Sequence, residues 1–479
     1  MGRLCLAAML SAALICCSSG DVLSAQGDAD LESVLDGFEE DGDTGGAAGE
    51  GMEGLDELVS GFEGPESGSE TPDGSGLTIP KGLSGHLKLS GSAAFAHDAP
   101  KENQPDHRGI TRLVPEILLE YKRPVFDRWK MFVSGKAFYD LAYTLKGRGD
   151  YPDAVLAEYE QELEIREAYI EGSLTGNLDI KIGRQIVVWG KSDNIRVADV
   201  INPLDQREPG VTDIEDLRLP AAMTRVDYYT GKWALTGLII HEAEFNKNPV
   251  PGNDFFTSSV RLPDDAPGSG SSNTQYGLAW QGFFTGWDLS FYWADVYNRT
   301  PWVSRDPDRP ALRYSRVKMA GGALAVALGN YLFTAETAYF KGLEFHSTPD
   351  EKDRLDLMVG IEYQGITDTT ITLELVNRHL FDFETAMEHD PDRAEEDRLE
   401  TAFRFSRDFM NETLNFTGLL IAYGDMGDDG AMARFTGEYD VNDNVSVKLG
   451  VIFYASGNLK HYDGIGDNDR VFAEIKYGF

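Results

Sequence analysis

Between Gly190 and Pro220 the chain places four cations, Lys191, Arg196, Arg207 and Arg218, among seven carboxylates, Asp193, Asp199, Asp205, Glu208, Asp213, Glu215 and Asp216. Groups at this density do electrostatic chemistry. They either pair with one another into a salt-bridged brace or turn rings of charge towards a passing solute. Asn202-Pro203 and Glu208-Pro209 initiate turns that stiffen the segment. Bond-making chemistry has no comparable constellation. The eight histidines are scattered singly, with no His-x-x-x-His pair, and no Gly-x-Ser-x-Gly occurs. The acidic runs Gly424–Gly430 and Tyr462–Asp469 read as hydrated loops rather than calcium sites. The expectation is a protein without catalytic residues, cofactor or metal. A net charge of −37 argues against nucleic acid as a partner.

The elements that must position this segment have a period of two. In Val445–Ser456, Val445, Val447, Leu449, Val451 and Phe453 share one face, while Ser446, Lys448, Gly450 and Tyr454 share the other. About eighteen such segments follow Lys81, each near the 9–11 residues of a transmembrane strand. Tight turns near Gly176, Gly231, Gly286, Gly329, Asp368, Asn411 and Asp443 alternate with long polar loops. A soluble sandwich has no reason to segregate its short turns to one edge, whereas an outer-membrane barrel has short periplasmic turns and long external loops. The fold class expected for residues 81–479 is therefore all-β, an antiparallel up-and-down transmembrane barrel of about 18 strands in the bacterial outer membrane. Lipid and lipopolysaccharide are its surroundings. Aromatics at strand ends, including Trp129, Trp233, Trp287, Tyr331 and Tyr477, suit an interfacial girdle.

The chain ends on such a strand. Val471, Ala473, Ile475, Tyr477 and Phe479 fall on the lipid face, with Glu474, Lys476 and Gly478 towards the lumen. Tyr477 and the terminal Phe479 resemble the signal that the barrel assembly machinery recognises. Arg184 breaks the pattern, because Ile180, Ile182, Ile186 and Val188 put it on the lipid face. Either it snorkels near the interface, or Gly183 marks a bulge that turns it inward towards Glu162 or Glu164. The bulge is the preferred expectation.

Ile182–Pro209 carries the most distinctive pattern: Gly183-Arg184-Gln185, Trp189-Gly190-Lys191, Asp199, and Asn202-Pro203-Leu204-Asp205. These residues resemble the strand-and-loop signature of a porin-like outer-membrane family catalogued as domain of unknown function 1302. The resemblance implies a barrel over most of Lys81–Phe479, associated with RND-type exporters of lipids or hydrophobes. Lys191 departs from the acidic residue usual after the Trp-Gly pair. In strand order the segment follows the fifth strand as the third external loop, which in many porins folds inward. Arg184, Trp189, Lys191, Asp193, Arg196, Asp199, Asn202, Asp205 and Arg207 are therefore its candidate pore or constriction residues.

Residues 1–25 read as a secretory signal containing all three cysteines, Cys5, Cys16 and Cys17, with lipid attachment at Cys17 as the alternative. The mature chain then has no thiol. Residues 26–80 hold 16 acidic residues and no Lys or Arg, the composition of a segment that does not order itself. Within it, residues 31–40 and 55–64 repeat one pattern. Leu31, Val34, Leu35 and Phe38, and again Leu55, Leu58, Val59 and Phe62, form an i, i+3, i+4, i+7 stripe suited to docking as a short helix. Such a periplasmic tail points to a periplasmic or RND-type transporter as partner. The expected function is an outer-membrane conduit for hydrophobic or lipid-like molecules. The alternative is a general diffusion porin, and an outer-membrane hydrolase is a lesser one.

Overall fold

The computed structural model describes residues 80–100, 104–256, 258 and 261–479. The proposed signal, nearly all of the acidic tail and both of its repeats lie outside the described residues.

Eighteen antiparallel strands, from Leu83–Ala94 to Arg470–Gly478, each pair with their sequence neighbours. The last strand pairs with the first, from Ala94 opposite Arg470 to His86 opposite Gly478, so the sheet closes on itself. A two-stranded ribbon, Trp302–Val303 with Leu312–Arg313, lies apart from the barrel sheet. All eight connections at one end are short, such as the link from Leu328 to Tyr331. The nine at the other end include the two long segments between Gln185 and Ala221 and between Ile240 and Gln275.

Alternation explains the wall. On the closing strand Val471, Ile475 and Tyr477 are exposed on the outer face, while Arg470 and Phe472 are buried inside. Trp287, Leu289, Phe291 and Trp293 point outward from the ninth strand, and Ser290, Tyr292 and Ala294 inward. This outer face is the apolar band that a bilayer requires. At the carboxyl terminus, Phe479 continues the pairing through its own backbone, exchanging N–H···O bonds of 2.9 and 3.0 Å with Gly85. Deleting Phe479, or replacing it with Glu, removes or distorts this last rung. The expected result is less heat-modifiable folded barrel in outer-membrane fractions, measured by gel shift.

Part of the inner wall is apolar. Met223, Leu238, Ala279, Met319, Met358, Val376, Leu419, Met432, Ile452 and Phe472 all face inward and are buried. They pack in one cluster with residues of the long loops, among them Ile195, Val197, Ile201, Phe255, Met387 and Ile465. The loop end of the lumen therefore holds a hydrophobic core. Charged inward residues line the rest of the wall, on the first five strands, where Lys88 meets Glu116 and Lys130 meets Glu171, and on the later ones, where Arg378 joins Asp356 to Glu400 and Lys448 meets Glu438.

Candidate functional site: the loop across the lumen

The third long connection begins as a continuation of the fifth strand, Leu178–Gln185. Beyond Gln185 alternation persists, with Val187 and Trp189 buried and Val188 exposed. Asn202 holds the base of the loop together. Its Oδ1 accepts from the Val187 N–H at 2.8 Å, and its Nδ2 donates to the carbonyls of Leu219 at 2.8 Å and Gln185 at 3.3 Å. The returning chain then pairs with itself, Leu219 N–H to Pro203 O and Asp205 N–H to Leu217 O, both at 2.8 Å. A buried amide satisfied at both ends explains why Asn precedes the turn-forming Pro203.

From this base the loop crosses to the far wall. Trp189 stacks on Tyr292 of the ninth strand at 5.1 Å, and the Gly190 N–H reaches the Tyr292 hydroxyl at 3.3 Å. Two buried carboxylates then receive the loop backbone. Glu336, on the strand Tyr331–Leu343, accepts from the N–H groups of Lys191 at 2.7 Å and Ala198 at 2.5 Å. Glu374, on the strand Thr369–Leu380, accepts from Asp193 at 2.9 Å and from Asn194 and Ile195 at 3.1 Å. It also accepts from the Ser192 hydroxyl at 3.1 Å. Gly190 has a φ of +91°, and a Cβ there would lie 2.7–2.8 Å from the Glu336 carboxylate oxygens, so only glycine fits. Arg378, paired with Asp356 and Glu400, donates to the Arg196 carbonyl at 2.9 Å.

The loop then turns back to the strands that close the barrel. The Tyr454 hydroxyl donates to Pro209 O at 2.5 Å, Glu208 pairs with Arg112, and Asp213 pairs with Arg434 and Lys448. Burial pushes the Asp213 carboxyl up, but these two cations more than offset it and hold it below its ordinary value. Burial acts likewise on Asp205, and Arg207 overcomes it. Carboxyls depressed in the folded state stabilise it above the ordinary carboxylate pKa, and that contribution is lost as pH falls through the folded pKa. Acidification below about pH 4 is thus expected to loosen this part of the loop. Faster protease cleavage within residues 190–220 after an acid step measures it, and Asp213→Asn should be loose already at neutral pH.

Five further candidates from the signature segment, Lys191, Arg196, Asp199, Asp205 and Arg207, are engaged in ion pairs. The Lys191 ammonium pairs with Asp288, and Asp199 is held between Arg218 at 2.8 Å and Arg196 at 3.6 Å. Arg207 joins Asp205 at 2.6 Å to Glu162 at 2.8 Å, and Lys247 also reaches Glu162. Arg184 corrects an expectation. The register of the fifth strand runs unbroken through Gly183 against both neighbours, so no bulge shifts it. Arg184 stays on the same face as the exposed Ile182, one residue from the strand's loop end, and pairs with Glu242 at 2.6 Å rather than with Glu162 or Glu164. Its charge is satisfied at the rim, where a cation costs little. The anchors Glu336, Glu374 and Tyr292 are not among the residues that the sequence singles out. The signal for the two acids is a lone inward carboxylate in each of two largely apolar strands, "YLFTAETAYF" and "TTITLELV".

A closed eighteen-strand barrel with an apolar outside and a long third loop crossing its lumen is the architecture of an outer-membrane porin. The chain belongs to the family described as protein of unknown function (DUF1302), which matches residues 107–479. Among solved structures it is similar to a BenF-like porin from Pseudomonas fluorescens Pf-5, with a TM-score of 0.52 and 12% identity over 83% of this chain and 98% of that one. Acinetobacter baumannii OccAB2 gives 0.49 and 13% over 83% and 98%. Identities this low establish the shared fold only. No curated protein matches the chain.

Proposed function

We propose that this protein is an outer-membrane conduit for hydrophobic or lipid-like molecules, kept closed by its third loop. The observation that carries this reading is the apolar patch of the inner wall that the loop covers. A water-filled pore has a polar lining, whereas here four inward-facing methionines, Met223, Met319, Met358 and Met432, line the wall together with aliphatic residues. Unbranched, polarisable methionine side chains repack around varied apolar shapes. Withdrawing Ile195, Val197 and Ile201 would bare this surface to a cargo of matching chemistry, at about 1.5–3 kcal/mol per side chain unburied. Contacts with an apolar cargo can offset that cost, whereas those with a sugar or an ion cannot.

The periplasmic tail is proposed to recruit an RND-type transporter through its two repeats. A single stripe binds weakly because it must also be ordered, and two copies add avidity. Phe38→Ala with Phe62→Ala should abolish pull-down of that transporter's periplasmic domains, with barrel folding intact.

Liposomes containing the barrel test the conduit. A fluorescent apolar amphiphile should exchange faster than in protein-free vesicles, while swelling in a small sugar stays near background. Rapid swelling in sugar without amphiphile exchange would overturn the reading in favour of a general diffusion porin.

A further inference from the structure

The fourth strand, Gln161–Thr175, has two unequal edges. Towards the third strand it is paired from Gln161, opposite Tyr139, down to Gly172, opposite Trp129. Towards the fifth strand pairing begins only at Ala168, opposite Arg184, and this is the shortest register in the barrel sheet. Past Gln185 the chain of the fifth strand leaves the wall, carried inward by the bond from Val187 to Asn202 and the stacking of Trp189 on Tyr292. Residues 161–167 are left without a neighbouring strand on that side. The second strand has a comparable overhang above Glu116, but there the helix Leu141–Lys146 packs on it and the Asp140 carboxylate accepts the Leu113 N–H at 2.9 Å. The outer face of the fourth strand is bare, with Ile165 61% exposed and Leu163, at 87%, the most exposed large apolar side chain among the described residues.

Inside the wall a strap backs this gap. Residues 204–207 of the third loop pair with Lys247 of the next long connection, the Gln206 N–H donating to Lys247 O at 2.8 Å and the Lys247 N–H to Leu204 O at 2.9 Å. Side chains tie the strap to the fourth strand. Arg207 meets Glu162 at 2.8 Å, and Lys247 reaches Glu162 and, at 3.8 Å, Glu164. Below them the Glu167 carboxylate accepts the Ile186 N–H at 3.1 Å. Among the described residues no backbone ladder joins the two. The fifth strand has eight residues, which rise about 20 Å at roughly 3.3 Å per residue and a tilt of 35–45°, short of an apolar band about 25 Å tall. The gap therefore stands where the hydrocarbon of the outer leaflet meets its head groups. An unpaired edge at such a depth is tolerated only where protein buries it or it lines a cavity.

We propose that this seam is a lateral exit, through which an amphiphile passes between the lumen and the outer leaflet. The inference rests on the conduit reading above. The third-loop segment that must withdraw to bare the apolar wall also carries Ile186 and Arg207, so one displacement opens the lumen and unlatches the seam. Apolar tails cross between Leu163 and Ile165 on one side and the half-exposed Val188 on the other. The polar head meets Glu162, Lys247 and Arg207, which its passage leaves without their partners.

The test uses the full-length protein in liposomes whose inner leaflet carries a fluorescent amphiphile, with arrival in the outer leaflet read by a quencher that cannot cross the membrane. The parent should deliver the amphiphile with no acceptor in the water. Leu163→Asn with Ile165→Asn should slow delivery at least fivefold while leaving ion conductance and the folded gel shift unchanged. Tyr276→Asn with Leu278→Asn, outward on the fully paired eighth strand, should change delivery less than twofold. Parent delivery that requires albumin in the water would place the exit along the barrel axis and overturn the proposal, even if the Leu163 variant fails to fold. Equal delivery by the parent and a folded Leu163 and Ile165 variant would overturn it while leaving the conduit standing. Delivery by the parent no faster than in protein-free vesicles, with or without albumin, would remove the conduit and the exit together.

Discussion

Glu336→Gln combined with Glu374→Gln is expected to raise ion flow through the barrel. Both oxygens of each carboxylate accept hydrogen bonds from the loop. A glutamine of the same shape must present an NH2 group to one set of donors, leaving buried N–H groups without partners. Hydrogen bonds to charged groups contribute about 1.5–3 kcal/mol each. A loss of about 2 kcal/mol at one site raises the undocked population roughly 30-fold. Because the two sites hold adjacent stretches of the loop, their losses reinforce each other. Single-channel recordings should show openings several times larger or more frequent than in the parent, and each single variant should fall between. Conductance unchanged in the double variant would mean that the loop does not obstruct the path.

Asn202→Ala should release the same loop from its other end. The substitution removes three bonds in a site with almost no solvent, stranding the Val187 N–H and the carbonyls of Gln185 and Leu219 at roughly 1–3 kcal/mol each. The strands on either side keep their own ladder, so the barrel should still form. Trypsin should then cleave at Arg207 or Arg218 in a barrel that still migrates as folded. Resistance equal to that of the parent would show that the loop is held by its far anchors alone.

The strands are legible because their signal is local. A two-residue period with a turn every ten to fifteen residues is written in contiguous sequence, and antiparallel register follows from the turns. Asn202 and Asp199 can be singled out because loop-base contacts join residues near in sequence. The far anchors cannot, since a lone Glu inside a transmembrane strand reads equally well as one more pore-lining charge. Only closure of the barrel brings Glu374 to the Asp193 N–H. Arg184 shows the opposite limit. Face alternation is sound there, and the expected bulge sets it aside for a residue that needs only the rim and Glu242.

The far anchors also impose an order of events on biogenesis. The loop's partners Glu336 and Glu374 are synthesised 138–182 residues after the segments they hold. Contacts that distant form only after the intervening chain has been ordered. The third loop therefore cannot seat until the strands carrying those acids have joined the growing sheet, and its return contact to Tyr454 waits for nearly the whole chain. Throughout insertion the nascent barrel is unplugged, and the seal is among the last structures to be made.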